Sequence, residues 1–266
     1  MQLHFNLFLY FLTIFTGIFI HFIVAYEYIA VLDSGIGGLT VLNSIRSLNP
    51  YENYIYFGDN SNAPYGSRSY HNLLSLTLDN VAHLSSYGLK ALVLGCNTLS
   101  VTIRETLQNY CNFLVFGVFP PVESEIVRGR NVLLLATPNT ARFYSDIPGL
   151  HSVGLPELAR DVENNALNPG KINFIRHIKG ISGIKRYYDT VILGCTHYLF
   201  VKNQIIDHFC PKNLISGNDF TARHVSEFIL NQKSIVNIRR KPVLFVGKNK
   251  NFNQEIYQKV VKSLQK

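Results

Sequence analysis

The 266-residue sequence is short of several residue types, and each shortage narrows the class of protein. It has no tryptophan, one methionine and four cysteines, at positions 96, 111, 195 and 210. These cysteines form no CxxC pair, so neither a disulfide framework nor a structural zinc site is indicated. Charged residues make up only 16% of the chain, with a net charge of +8. The positive charge is spread thinly, without an aromatic-and-basic ladder or a helix-turn-helix pattern, so no nucleic acid partner is expected.

Charge is absent altogether from the first 25 residues, which are rich in Phe, Leu and Ile. This stretch is long enough to span a membrane. It lacks the basic start and cleavage site of a signal peptide, and no Lys or Arg flanks it to set an orientation. It is either a membrane anchor or an upstream translation of a chain that naturally starts near Val24. We favour the second, because a strand is predicted so soon afterwards, and expect membrane contact only if residues 1–25 are genuine.

From Tyr28 onward, short apolar runs alternate with helix-like segments, which is typical of parallel βαβ units. Strands are predicted at 28–32, 54–57, 91–94, 114–118, 131–135, 190–193 and 242–246. Helices are predicted at about 39–48, 69–87, 101–110, 155–164, 171–187, 219–230 and 252–264. The expected fold class is therefore α/β, with parallel sheets flanked by helices.

One stretch of the chain occurs twice. Val93-Leu94-Gly95-Cys96-Asn97-Thr98 returns as Ile192-Leu193-Gly194-Cys195-Thr196-His197. Each copy is an apolar run, then Gly-Cys, then small polar side chains and a predicted helix start. Nearly the same number of residues separates the turn at Asp33 from Cys96 and the turn at Thr137 from Cys195. The pattern indicates an internal duplication, with one thiol at an equivalent strand end in each half.

The carboxyl ends of parallel strands are where ligands bind in open α/β sheets. A thiol becomes a good base only when its pKa falls from about 8.5, and a helix start favours the thiolate. His197 lies two residues after Cys195, and Asp33 ends a strand in the same half as Cys96. Two thiols that flank one small substrate could remove a proton from carbon on one face and donate one on the other. That reaction inverts a stereocentre without a cofactor.

Other interpretations of these residues stay open. A single Gly-Cys after a strand is usually just a small buried residue, although its repetition favours a function. Cys96, Cys195 and His197 could hold a metal, despite a spacing that fits no structural pattern, or the two thiols could form a disulfide. The turn from Asp33 to Gly38 fits neither GxGxxG nor a P-loop. Asp33 could cap a helix, and its turn could offer N–H groups to a carboxylate.

Four segments taken together resemble a known family. They are Ala30–Thr40, Tyr56–Asp59 with Pro64–Gly66, Cys96–Thr98 and Leu193–Tyr198. In combination they resemble the bacterial glutamate racemases, over the chain from about Tyr28 to the final helix. The related aspartate racemases share the cysteine turns but usually open with a different glycine-rich segment, so the Asp-Ser-Gly opening points to glutamate.

The resemblance implies a cytoplasmic, cofactor-independent amino-acid racemase that supplies D-glutamate for peptidoglycan, with no metal. Cys96 and Cys195 match the family's catalytic pair, Asp33 and His197 match its assisting groups, and Glu163 matches an acidic residue near the second site. The residues that match its substrate-binding set are Asp33, Ser34, Tyr65, Gly66, Asn97, Thr98, Thr140, Thr196 and His197. Glutamate is the expected small-molecule partner, and a homodimer is left open.

The resemblance further implies two similar, pseudo-symmetric α/β domains with the active site in the cleft between them. The expected divisions are 1–26 as an apolar extension, 27–118 plus 219–266 as the first domain, and 119–218 as the second. The sequence departs from the family pattern in its apolar N-terminus, in Pro138 and Asn139, and in Leu155, where many members have a third cysteine. Racemisation of another acidic amino acid such as aspartate, a non-catalytic binder that keeps the cleft, and a zinc hydrolase are the alternatives.

Overall fold

The structure is a computed structural model that describes residues 27–123, 130–232, 241–248 and 254–264. The prediction about the apolar N-terminus therefore lies outside the described residues. Within these ranges, no helix is long and apolar enough to cross a membrane.

Strands and helices alternate along the described chain. In order, the strands are β1 (Tyr28–Asp33), β2 (Asn53–Gly58), β3 (Leu89–Leu94), β4 (Leu114–Gly117), β5 (Val132–Ala136), β6 (Leu150–Gly154), β7 (Thr190–Gly194), β8 (Asn213–Ser216) and β9 (Leu244–Val246). The helices are α1 (Gly38–Leu48), α2 (Tyr70–Ser85), α3 (Asn97–Gln108), α4 (Pro138–Phe143), α5 (Leu158–Asn165), α6 (Phe174–Ile178), α7 (Lys202–Phe209), α8 (Asn218–Asn231) and α9 (Gln254–Leu264). Short 3₁₀ turns lie at Asn60–Asn62, Pro169–Lys171 and Thr196–Val201.

The strands form two sheets with the same internal order. The first runs β4-β3-β1-β2-β9, and the second runs β8-β7-β5-β6. Every described pairing is parallel, and the apolar central strands β1 and β5 are buried along almost their whole length. Parallel strands need cover on both faces, which explains their uninterrupted apolar runs. The predicted α/β class with two similar halves is confirmed, whereas the exact domain boundaries stay a prediction.

Packing joins the two halves as well as the layers within each half. Helix α1 contacts both α8 and the 3₁₀ turn at Thr196–Val201. One cluster of buried apolar side chains includes Ile36 and Leu39 from the first half and Leu158 and Val162 from the second. Burial of each such side chain stabilises the fold by roughly 1.5–3 kcal/mol. Apolar packing therefore holds the glycine-rich turn of the first half against the second half, which carries Cys195.

The structure differs from the sequence prediction most between residues 171 and 189. The predicted long helix there is wrong, because only Phe174–Ile178 is helical. Gly180 and Gly183 have φ of +83° and +79°, in the left-handed region that ends helices. The sequence also gave no sign of the short strands β6 and β8, whose segments LHSVG and NLIS mix polar and apolar residues.

A buried hydroxyl ties together the segments that carry the second cysteine turn. Tyr198 is fully buried, and its hydroxyl donates to the carbonyl oxygens of Ala136, at 3.0 Å, and Leu155, at 2.9 Å. We expect Tyr198→Phe to lower the free energy of unfolding by about 1–3 kcal/mol, because a buried acceptor is left with one donor fewer. Urea denaturation measures the change. Tyr187→Phe, at an exposed tyrosine, is the matched control, and equal effects of the two substitutions would contradict the prediction.

Candidate active site

Both cysteine turns open onto one cavity of about 260 Å³. Its size suits a small ligand, and its wall comes from both halves of the chain. Most of the residues singled out from the sequence lie on this wall: Ser34, Tyr65, Gly66, Cys96, Asn97, Thr98, Glu163, Cys195, Thr196 and His197. Asp33 and Thr140 are fully buried and are not among the wall residues.

The two thiols hold equivalent positions at the ends of β3 and β7. Cys96 is the residue before α3, and Cys195 is the residue before the 3₁₀ turn at Thr196–Val201. Both are free, and each is less than a tenth exposed. Burial, followed by the nearby charge of Asp33, raises the pKa of Cys96 to about 12. The charge of Cys195 adds to this rise in the pKa of Cys96, which indicates that the two sulfur atoms lie near each other.

A histidine and a carboxylate accompany Cys195. The Nδ1 atom of His197 lies 3.9 Å from the sulfur of Cys195, and its Nε2 donates to Oε2 of Glu163 at 2.9 Å. Burial alone would lower the pKa of His197. The hydrogen bonds with Cys195 and Glu163, and the charges of Cys195 and Asp33, outweigh burial and raise the pKa of His197 well above its ordinary value. This imidazole is therefore protonated at neutral pH and can supply a proton to Cys195.

Glu163 reaches from the second half of the chain into the first. Its Oε2 atom accepts a hydrogen bond from the backbone N–H of Ile36 at 3.0 Å, and its Oε1 accepts one from the side-chain amide of Asn60. The hydroxyl of Tyr257, on α9, donates in turn to Asn60. A chain of hydrogen bonds thus runs from the C-terminal helix through Asn60, Glu163 and His197 to Cys195.

The glycine-rich turn after β1 makes this close approach possible. A Cβ atom on Gly35 would lie 2.3 Å from Oε2 of Glu163, and one on Gly37 would lie 2.3 Å from Nδ1 of His197. No real side chain fits at such distances. The glycines of the turn therefore leave room for side chains of the other half, rather than for a phosphate.

Asp33 lies at the end of β1, beneath this turn. The backbone N–H of Gly35 donates to its Oδ1 at 2.8 Å, while its Oδ2 is buried without a hydrogen-bond partner among the described residues. Burial raises the pKa of Asp33, and the positive charge of His197 opposes that rise. A carboxylate with a raised pKa is suited to accept a proton, and Asp33 is the charged group that acts most strongly on Cys96.

Hydroxyl and amide groups line the rest of the cavity. Thr98 and Thr137 share a hydrogen bond between their hydroxyls at 2.8 Å, and Thr137 also bonds to Thr140 at 3.2 Å. The side-chain N–H of Asn97 donates to the carbonyl of Val118, but its Oδ1 is buried and has no partner within the described chain. Such an oxygen can accept a hydrogen bond from a ligand donor.

Sequence reasoning did not assign several wall residues to the site. They are Asn60, Ala63, Pro64, Thr137, Ala159, Arg160, Asn164 and Gly194. For Thr137 a signal existed, because its turn is the counterpart of the turn at Asp33. For Asn60 and Arg160, which lie in a loop and a helix, the sequence shows no repeated pattern. In the described ranges, no group of His, Cys, Asp and Glu side chains is arranged to hold a metal ion.

Proteins of known function resemble this chain over most of its length. A glutamate racemase of Halothermothrix orenii is 36% identical over 220 residues, which cover 76% of this chain and 85% of that protein. Thermus thermophilus glutamate racemase, solved with β-chloro-D-alanine, has a TM-score of 0.73 at 27% identity, covering 90% of this chain and 93% of that one. Escherichia coli glutamate racemase, solved with L-glutamate and the activator UDP-MurNAc-Ala, has a TM-score of 0.73 at 25% identity, covering 90% and 95%. No protein-family model matches the chain.

The contact between the glycine-rich turn and His197 can be tested by adding one methyl group. We expect Gly37→Ala to lower the free energy of unfolding by about 1–3 kcal/mol, because the new Cβ would overlap His197 and Thr196. Gly170→Ala is the matched control, since nothing lies within 4 Å of its added Cβ. Denaturant unfolding of both variants measures the difference. A tolerated Gly37→Ala would mean that the two halves do not meet as closely as described.

Proposed function

The chain belongs to the glutamate racemase family, and on that premise we propose that it interconverts L- and D-glutamate by proton transfer at Cα between Cys96 and Cys195. The observation that carries the proposal is that both thiols, one from each half, line the same small cavity. A substrate carbon between them exposes one face to each sulfur. One thiolate removes the proton, and the other thiol donates a proton from the opposite side.

The surroundings of the two thiols support the assignment of one as the base and the other as the proton donor. The pKa of Cys96 is raised to about 12, so Cys96 rests as a protonated thiol that is ready to donate. Cys195 lies 3.9 Å from Nδ1 of the protonated His197, and we assign to Cys195 the removal of the proton from Cα. After one turnover Cys195 carries the proton taken from Cα, and Cys96 has lost its own. In the reverse direction Asp33, whose pKa is raised, is the nearby carboxylate that can take the proton of Cys96.

The cavity wall also suits the two carboxylates and the ammonium group of glutamate. We assign the carboxylates to the hydroxyls of Ser34, Thr98 and Thr196 and to donors of the Tyr65-Gly66 segment, with Thr140 acting through Thr137. Hydrogen bonds to a charged acceptor are about twice as strong as neutral ones. The unpartnered Oδ1 of Asn97 is the acceptor that we assign to the ammonium group.

We further propose that the reaction takes place in the cytoplasm and supplies D-glutamate for peptidoglycan. Catalysis by two thiols needs both of them reduced, and the cytosol keeps thiols reduced. A homodimer stays a prediction, which sedimentation of the purified chain can test.

Replacement of either active-site thiol should greatly slow racemisation. We expect Cys96→Ser and Cys195→Ser each to lower kcat by a factor on the order of 10²–10⁴, because a serine hydroxyl is far too weak a base to act on carbon. Circular dichroism of L-glutamate measures the inversion, and mass spectrometry measures deuterium uptake at Cα in heavy water. L-Aspartate, assayed in parallel, tests whether another acidic amino acid is the substrate.

The chain contains its own controls for this experiment. Cys111 and Cys210 do not line the cavity, and we expect Cys111→Ser and Cys210→Ser to keep near-normal turnover. A Cys96→Ser or Cys195→Ser variant that kept near-normal turnover would rule out the two-thiol mechanism. Absence of deuterium uptake by the wild type, with either enantiomer, would rule out racemisation of glutamate.

The pH dependence of kcat/KM should test whether Glu163 raises the pKa of His197. The hydrogen bond with Glu163 helps to hold the pKa of His197 well above its ordinary value, so activity that needs protonated His197 persists above neutral pH. Glu163→Gln removes the charge but keeps the shape. It should therefore lower the pKa of His197 and move the alkaline limb of kcat/KM to lower pH. Glu227→Gln, at an exposed carboxylate remote from the cavity wall, is the control. An unmoved alkaline limb in Glu163→Gln would contradict the assigned role.

A further inference from the structure

The cavity wall contains one Lys or Arg side chain in the part of the chain that the structure describes, and it is Arg160. Glutamate carries two carboxylates and one ammonium group, so it arrives as an anion. The wall also contains the carboxylate of Glu163, and Asp33 lies just behind it. An anionic substrate therefore meets a site with acidic groups, and Arg160 is the permanent cation that offsets them.

Arg160 forms an exposed ion pair that leaves its guanidinium able to bind a ligand carboxylate. Its guanidinium bonds to Oε2 of Glu157 at 2.6 Å, and both side chains are more than half exposed. Exposed ion pairs of this kind contribute little to stability, since water screens them. The guanidinium can therefore exchange Glu157 for another carboxylate at little cost.

The position of Arg160 on its helix directs it toward the cavity. Arg160 and Glu163 are both on α5, three residues apart, and therefore share a face of that helix. Glu163 is held by Ile36, Asn60 and His197, which fixes this face of the helix against the site. Arg160 belongs to the same wall, in the partly exposed turn that precedes Glu163.

We propose that Arg160 is a substrate-binding residue whose guanidinium leaves Glu157 and pairs with a carboxylate of the bound amino acid. The proposal rests on the proposed function of the cavity as a glutamate site. A guanidinium presents paired N–H donors that match a carboxylate, which an ammonium group does not. Pairing with the side-chain carboxylate, which gains no charge when Cα loses its proton, contributes equally in the ground state and the transition state, because Arg160 takes no part in proton transfer.

Steady-state kinetics at low ionic strength test the proposal. Arg160→Gln should raise KM for L-glutamate about tenfold and leave kcat within about twofold, the pattern expected when uniform binding is lost. Added salt should raise KM in the wild type but have less effect in Arg160→Gln, because the screened charge is gone. Arg160→Lys should lie between the two, since it keeps the charge but loses the fork of donors.

Glu157→Gln is the matched variant, because it removes the partner and leaves Arg160 in place. We expect its KM for L-glutamate to be equal to that of the wild type or lower. If Glu157→Gln raises KM as much as Arg160→Gln does, the ion pair serves the structure of α5 and the proposal is wrong. It is equally wrong if Arg160→Gln leaves both KM and its salt dependence unchanged.

A binding measurement separates failure of this inference from failure of the proposed function. Isothermal titration of wild type and Arg160→Gln with L-glutamate gives affinities that do not depend on turnover. A wild type that neither binds nor racemises glutamate overturns the function of the site. A wild type that does both, beside an Arg160→Gln variant of equal affinity, overturns only the role of Arg160.

Discussion

The carboxylate of Glu163, placed inside the first half's glycine turn, is the interaction on which the site depends. A partly buried charge is costly unless donors surround it, and the backbone of Ile36, the amide of Asn60 and the ring of His197 all donate to this one. Glu163 in turn holds the imidazole that faces Cys195. The chemistry of the second cysteine is thus set partly by a loop and a turn of the first half, so neither half contains a complete site.

The duplicated turns give the two thiols equivalent positions but different electrostatic surroundings. Cys96 shares its half with a buried acid, Asp33, whereas Cys195 faces a protonated histidine. Enantiomers have equal free energies, so the forward and reverse values of kcat/KM must be equal. The asymmetry of the site therefore cannot favour one product, and its effect falls on which thiol holds the proton between turnovers. Because Cys96 is protonated at rest, the resting site can donate a proton from the side of Cys96, which suits one of the two enantiomers.

The parts of the fold and of the site that could be predicted are those marked by a local sequence pattern. The apolar runs predict the first sheet and the two central strands of the second, and the repeated Gly-Cys places both thiols at strand ends, because strands and the turns after them are local features. Asn60 and Arg160 carry no such pattern, and they join the wall through contacts with residues about a hundred positions away or through helix packing. The helix predicted over 171–187 is wrong beyond Ile178 for the opposite reason, because there a local pattern is present but misleading. The apolar spacing suits a helix, but the left-handed backbone at Gly180 and Gly183 prevents one.

The turn from Asp33 to Gly38 shows why a motif has to be interpreted together with what packs on it. Glycine after a β-strand is a general feature of phosphate loops, in which backbone N–H groups are exposed to a ligand, although this turn fits neither of the common sequence patterns. Here the space above Gly35 and Gly37 is taken by Glu163 and His197. The N–H of Ile36 is also occupied, since it donates to Glu163. A phosphate would have to displace a carboxylate that also holds the imidazole of His197. The same glycines that allow one half to dock on the other therefore exclude the nucleotide interpretation.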